Sequence, residues 1–167
     1  MIIAIDVHYK GETAKVVGVL YESWDAEEAS QFIDAYLPVA SDYEPGQFYK
    51  RELPCLLHLL ENVELTKVDY IVIDGYVFLD AQGRKGLGAH LYEALEEQVP
   101  VIGVAKTTFH QCEQFSQSVF RGDSTRPLYV TSVGSDAELA AGYIKEMHGP
   151  YRVPTLLQQL DTKTKED

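Results

Sequence analysis

The stretch Tyr70-Ile71-Val72-Ile73-Asp74-Gly75 constrains the fold of this chain more than any other. An apolar run of β-type residues ends abruptly in a carboxylate and a glycine. Such a run reads as a strand buried on both faces, with the acid held on a rigid element yet opening onto solvent. Gly75 lets the chain leave sharply and lets a ligand or metal approach the backbone. Met1-Ile2-Ile3-Ala4-Ile5-Asp6 has the same form. Two such strands side by side converge two carboxylates on one site. Asp-Gly after a strand is also a common turn signal, and for Gly75 this plain reading stands beside the functional one.

At 167 residues the chain is expected to be one domain, 1–167, with a substantial hydrophobic core. Ile2 to Tyr9 and Ala14 to Tyr21 read as a hairpin around Lys10-Gly11-Glu12, and Gln31 to Val39 as a third strand. Three antiparallel strands followed by helices and further strands predict an α/β fold with a mixed sheet. Phe48, Glu52, Cys55, Leu56, Leu59 and Leu60 fall at helical spacing, with Pro54 in the first turn or at a kink. Glu52 then sits near a helix start, where the bland reading is a favourable dipole interaction and the sharper one an inward-pointing acid. After the Asp74 strand comes a long loop to Lys85, a helix from Leu87 to Glu97 and a strand from Val99 to Val104, a parallel βαβ unit. Phe115 to Phe120 and Leu128 to Val133 predict a hairpin, and Ala137 to His148 and Val153 to Leu160 predict helices. The charged tail from Lys163 to Asp167 is expected to fray.

Asp6, Glu52 and Asp74 thus come from two neighbouring strands and a helix. Three carboxylates in one cleft repel each other unless a hard cation sits between them. Mg²⁺ suits such a set, because it takes oxygen ligands, keeps water and bridges to substrate phosphates. The formal net charge of −12 argues against strong non-specific nucleic-acid binding. Bases at Lys50, Arg51, Arg84, Lys85, Lys106, Arg121, Arg126 and Arg152 form either a basic working face on an acidic body or scattered solvated charge. The two cysteines, Cys55 and Cys112, have no metal-ligand spacing and are expected to be free thiols. With no leader and no membrane-length apolar run, the reading is cytoplasmic.

The local motifs sharpen this picture. Ile5-Asp6-Val7-His8-Tyr9 resembles the opening strand of the endonuclease V family, Asp-Val-x-Tyr. Tyr43-Glu44-Pro45-Gly46, with Phe48 and Arg51-Glu52-Leu53-Pro54, resembles that family's Tyr-x-Pro-Gly…Phe-x-x-Arg-Glu-x-Pro block. Asp74-Gly75, then Arg84-Lys85 and Gly86-Leu87-Gly88-Ala89-His90, is similar to its Asp-Gly…Arg-Arg-x-Gly-x-Ala-Ser-His block. Gly103-Val104-Ala105-Lys106, Pro127-Leu128-Tyr129-Val130 with Val133-Gly134, and Tyr151-Arg152-Val153-Pro154 complete the series in order. The resemblance runs from about Ile2 to Pro154. It implies a ribonuclease H-like fold and a Mg²⁺-dependent endonuclease, with Mn²⁺ as substitute. Such an enzyme cuts near deaminated bases such as inosine in DNA or RNA, leaving a 3′-hydroxyl and a 5′-phosphate.

Carried over residue by residue, the resemblance implies that Asp6, Glu52 and Asp74 hold the metal and that Lys106 supports phosphate charge. Tyr43 on its Pro45-flanked turn would fill the stack when the target base is extruded, or simply cover surface. Gly75 would approach the flipped base, and Arg84 and Lys85 would meet nucleic acid. Several positions depart from the family pattern. Asp74-Gly75-Tyr76-Val77 stands where the family has Asp-Gly-His-Gly, and Asp80 and Gln82 lie where its histidine and proline precede the paired bases. Val133-Gly134-Ser135 replaces its Val-Gly-His, so that Asp136 becomes either a fourth metal ligand or an ordinary helix cap. The family's N-terminal helical extension is expected to be absent. These changes also admit a second reading, a relative that binds nucleic acid without cutting it.

Overall fold

The computed structural model describes residues 1–39, 49–108 and 115–166, so Tyr43, Pro45, Phe48, His110 and Cys112 lie outside the described residues. Seven strands form one mixed sheet in the order β3-β2-β1-β4-β5-β7-β6. They are β1 (Ile2–Lys10), β2 (Thr13–Tyr21), β3 (Gln31–Pro38), β4 (Tyr70–Asp74), β5 (Val101–Ala105), β6 (Gln117–Val119) and β7 (Leu128–Val133). The first three are antiparallel neighbours, whereas β4 pairs parallel with both β1 and β5. The hairpin of β6 and β7 closes the far side, antiparallel to β5.

Helices α1 (Tyr49–Leu60), α2 (Leu87–Ala94), α3 (Ala137–Glu146) and α4 (Thr155–Lys165) cover the two faces. Side-chain alternation along the strands sorts the core into two layers. Ile3, Ile5, Ile71, Ile73 and Val101 pack with Leu56 and Leu59 of α1 and Leu91 of α2. Ile2, Ala4, Val72, Ile102 and Val104 pack with Ala140 and Ile144 of α3 and Leu156 and Leu160 of α4. Because β1, β4 and β5 are covered on both sides, their sequences are continuous apolar runs. Among the described residues no helix is long and apolar enough to cross a membrane.

Several boundaries differ from expectation. Pro54 lies in the interior of α1, not in its first turn, so the helix lacks the bond that residue's amide would have given. Helix α2 stops at Ala94, because Glu96 and Glu97 adopt left-handed φ values of 56° and 61°. The Glu97 amide donates to the Tyr92 carbonyl at 2.9 Å, closing the helix as a C-terminal glycine motif would.

The largest difference is at the C-terminus. Helix α4 begins at Thr155 and runs to Lys165, so most of the tail expected to fray is helical, and Thr164 is buried. Two lysines of the first hairpin hold its end. Lys15 Nζ donates to the Lys163 and Glu166 carbonyls at 2.8 and 2.9 Å, and Lys10 Nζ to the Lys165 and Glu166 carbonyls at 3.0 and 3.2 Å. A helix C-terminus leaves carbonyls unpaired and carries negative dipole charge, and cations meet both needs. Lys15→Met keeps the apolar stem and removes the ammonium, so it is expected to cost about 1–3 kcal/mol, the value of hydrogen bonds to a charged group. A denaturant melt indistinguishable from wild type would show that the anchor carries no weight.

Candidate functional site at the ends of the parallel strands

The parallel register of β1 and β4 pairs Ile2 with Tyr70 and ends with Ile5 beside Ile73. One step further along both strands stand Asp6 and Asp74. Since side chains alternate, both point to the face covered by α3 and α4. The next strand, β5, pairs Asp74 with Val104, and Lys106 follows just beyond its end. A cleft at this corner is lined by Asp6, Asp74, Lys106 and Asp161 against an apolar wall that includes Val104, Leu128 and Leu157. Asp161, on α4, is the acid that sequence reasoning missed. It lies one helical turn beyond Leu157 and on the docking side of α4, a spacing visible only once the helix is known to continue past Leu160.

Glu52 arrives differently. It occupies the first turn of α1, on the opposite layer of the sheet, and is not part of the cleft wall. It nonetheless acts on the same corner, because the charges of Asp6 and Asp74 both disfavour its ionisation. Its neighbour Arg51 places its guanidinium 4.1 Å from the centre of the Tyr9 ring.

The electrostatics are those of buried acids whose opposing charges, Lys106 beside Asp6 and Asp74 and Arg51 beside Glu52, do not offset burial and mutual repulsion. Burial pushes the Asp6 carboxyl up to about 7, with Asp74 and Asp161 adding repulsion and the Val7 amide and Lys106 opposing it. Burial, then Asp6 and Asp74, push Glu52 up to about 8. Asp74 keeps contact with solvent at the cleft mouth, yet the surrounding protein raises its pKa too; Lys106 lowers it and Asp161 raises it. An all-oxygen donor set whose members oppose each other's ionisation suits a hard divalent cation. Among the described residues, however, no three His, Cys, Asp or Glu side chains are grouped so as to hold a metal ion as they stand.

The other candidate residues are placed as follows. Asp136 caps α3, its carboxylate accepting from the Glu138 amide at 2.9 Å, and it does not line the cleft. Arg84 faces Asp80, and Lys85 pairs with Glu93 of α2. His8 lies on β1 opposite Lys15, and His90 of α2 stacks on Tyr49 with ring centres 3.6 Å apart. Gly75 has φ +131°, a conformation that disfavours other residues. Beside it, a Cβ on Gly103 would stand 2.5 Å from the Gly75 carbonyl oxygen and 2.8 Å from Thr131 Oγ1. The Thr131 hydroxyl accepts from the Val77 amide at 2.9 Å, so the loop after Asp74 is pinned against β5 and β7.

Two expectations follow. Gly103→Ala forces the loop after β4 away from β5 and is expected to cost about 1–3 kcal/mol in a chemical melt; an unchanged midpoint would contradict the close approach. The metal-free chain should also lose stability as pH rises. Asp6 and Glu52 ordinarily ionise at 3.8 and 4.5 but in the fold only near 7 and 8, so between those limits the folded state binds more protons than the unfolded one. The stabilisation contributed by these two groups is therefore fully present below about pH 4, falls through the window and is lost above about pH 8. Glu52→Gln should flatten that fall and raise the melting midpoint at pH 8 by several degrees, since 1 kcal/mol shifts it by about 2–4 °C at this size. A variant melting like wild type at every pH would show that neither burial of Glu52 nor its repulsion by Asp6 and Asp74 costs stability.

Known proteins resemble this chain in both sequence and fold. The family model described as endonuclease V matches residues 1–143. Endonuclease V of Trichormus variabilis is 30% identical over 147 residues, covering 76% of this chain and 64% of that protein. The match thus spans less than two thirds of that curated relative's length. The fold superposes on the crystal structure of Ciona intestinalis endonuclease V in complex with a 24-mer DNA containing an inosine followed by a ribo-adenosine. That likeness has a TM-score of 0.80 at 17% identity, over 98% of this chain and 83% of the other. Human ENDOV gives a TM-score of 0.75 at 21% identity, over 98% and 82%. The sheet is therefore of the ribonuclease H-like type, and with the family model covering most of its length the chain belongs to the endonuclease V family.

Proposed function

We propose that this chain is a metal-dependent endonuclease that hydrolyses phosphodiester bonds near deaminated bases, inosine among them, in DNA or RNA. One observation carries the proposal. The β1–β4 register sets Asp6 and Asp74 side by side at the strand ends, where Asp161 and Lys106 line the same cleft. Family membership points the same way, and the Ciona relative was crystallised on inosine-containing DNA. In this reading the chemistry is carried by one domain, 1–167, working in the cytoplasm, where the buried thiol of Cys55 stays reduced.

Asp6, Asp74 and Glu52 would hold Mg²⁺, or Mn²⁺ in its place, with Asp161 at the same cleft in the position considered for Asp136. When bound, such an ion orients water for attack on a phosphodiester and neutralises charge on the leaving oxygen. The chain's own residues do the rest. Asp6 and Asp74 are kept close to one another by the strand ladder, so cation binding would relieve repulsion that the fold already contains. Lys106 brings the positive side chain of this corner, suited to a phosphate oxygen. The apolar wall of Val104, Leu128 and Leu157 limits water beside the acids and strengthens each of these interactions.

The test is cleavage of single-stranded and duplex DNA and RNA, with and without inosine, in Mg²⁺ and in Mn²⁺. The expected result is a metal-dependent nick near inosine, abolished by Asp6→Asn and slowed about 10²–10³-fold by Lys106→Ala. In parallel, Mg²⁺ should raise the melting midpoint at pH 8, and Asp74→Asn should remove that rise. Intact strands at high enzyme concentration, with tight binding retained, would favour the non-cutting relative. Cutting without inosine preference would leave the chemistry standing and remove the base reader.

A further inference from the structure

The sheet ladder fixes β5 only as far as Ala105, which pairs with Tyr129. Lys106 and Thr107 lie beyond it, and side chains from two other elements hold their backbone. Arg152 Nη2 donates to the Lys106 carbonyl and, at 2.7 Å, to the Pro127 carbonyl at the start of β7. The Tyr76 hydroxyl donates to the Thr107 carbonyl at 2.8 Å.

Arg152 is held in turn. Arg121, only 6% exposed, donates through Nη1 to the Tyr151 and Arg152 carbonyls at 2.6 and 3.3 Å. Through Nη2 it donates to the Met147 and Gly149 carbonyls at 2.5 and 3.1 Å. The segment so clasped leads directly into α4, the helix that brings Asp161 to the cleft. A guanidinium suits this task because its planar fork fixes the angle between acceptors, whereas an ammonium presents a point charge that swivels.

We propose that Arg152 is a positioning residue. It holds the Lys106 carbonyl so that the Lys106 side chain stays in the cleft with Asp6 and Asp74, and Tyr76 fixes the next carbonyl. The kinetic consequence rests on the nuclease reading; the placement of Lys106 does not. A misplacement of about 1 Å in a catalytic side chain can cost about 10²-fold in rate. The expected loss therefore falls on kcat rather than KM.

The experiment has two arms. In the first, acylation of Lys106 and of the exposed Lys145 by an amine-selective reagent is followed by mass spectrometry in wild type, Arg152→Gln, Arg152→Lys and Tyr76→Phe. Melting curves select the variants that fold. Releasing the carbonyl should change the Lys106 rate several-fold and leave Lys145 unchanged, with Arg152→Lys intermediate; a Lys106 rate unaltered in every folded variant overturns the proposal. In the second arm, nicking should show kcat reduced about 10- to 100-fold by Arg152→Gln with KM within about twofold. Added to Lys106→Ala, the same substitution should cost nothing further. Losses that multiply, or that fall on KM alone, overturn the positioning role. If wild type cuts nothing while the labelling result holds, the nuclease reading fails and the placement of Lys106 stands.

Discussion

Repulsion between carboxylates at the ends of two parallel strands is the constraint on which this structure turns. Pairing Ile5 with Ile73 makes Asp6 and Asp74 neighbours on one face, in a corner walled by α4. A strand ladder cannot slip by one residue to relieve them, because that would turn every apolar residue of β1 to the wrong layer. The hydrophobic packing of Ile2, Ala4, Val72 and Ile102 on the same face therefore offsets the electrostatic cost. Proton binding, or a cation, lowers that cost. The raised pKa values and the fit to a hard divalent ion are two expressions of one arrangement.

The cations of the chain explain how an acidic protein keeps this corner in place. Lys15 and Lys10 close the end of α4, Arg121 gathers the segment before it, and Arg152 ties that segment to the end of β5. Most of their partners are backbone carbonyls, not carboxylates. With those cations bound to carbonyls, the charges that oppose the cleft acids come from elsewhere: Lys106 opposes Asp6 and Asp74, and Lys165 of α4 pairs with Asp161 at 3.1 Å. Arg121 and Arg152, which the sequence assigns to either a basic working face or scattered surface charge, thus do a third thing: they build the scaffold.

Much of this was legible in the sequence where one physical effect dominated. The runs Ile2–Ile5 and Tyr70–Ile73 could only be buried strands, and the acids that end them mark the corner where the cleft forms. The βαβ unit and the β6–β7 hairpin followed from the same logic. Asp161 was not legible, because α4 carries Gln, Thr, Lys and Asp around a narrow stripe of Leu156, Leu160 and Thr164. A stripe that thin reads as the fraying end of a short helix, yet burial of Leu160 and Thr164 and the lysine contacts from β1 and β2 show that it is docked. The end of α2 was misjudged for the converse reason. Leu95, Glu96 and Glu97 favour a helix locally, but the return to β5 demands left-handed residues there, at a cost of about 1–2 kcal/mol each.

The loop after Asp74 shows which departures from the family pattern matter. Its first residues remain under tight constraint: Gly75 donates to the Val104 carbonyl at 3.0 Å, and Gly103 admits the Gly75 carbonyl only by lacking a side chain. Beyond Val77 the loop is rebuilt as a unit of its own. Asp80 accepts from the Gln82 and Arg84 amides, both at 3.0 Å, the Leu79 amide donates to the Arg84 carbonyl, and Phe78 bridges Lys85. Asp80 and Gln82, which stand where the family has a histidine and a proline, thus brace their own backbone. A loop satisfied internally has no need of a bound base to order it. The departures at Asp80 and Gln82 thus fall where the loop braces itself, whereas Tyr76 and Val77 depart within the pinned stretch and hold it, the Tyr76 hydroxyl donating to the Thr107 carbonyl and the Val77 amide to Thr131 Oγ1.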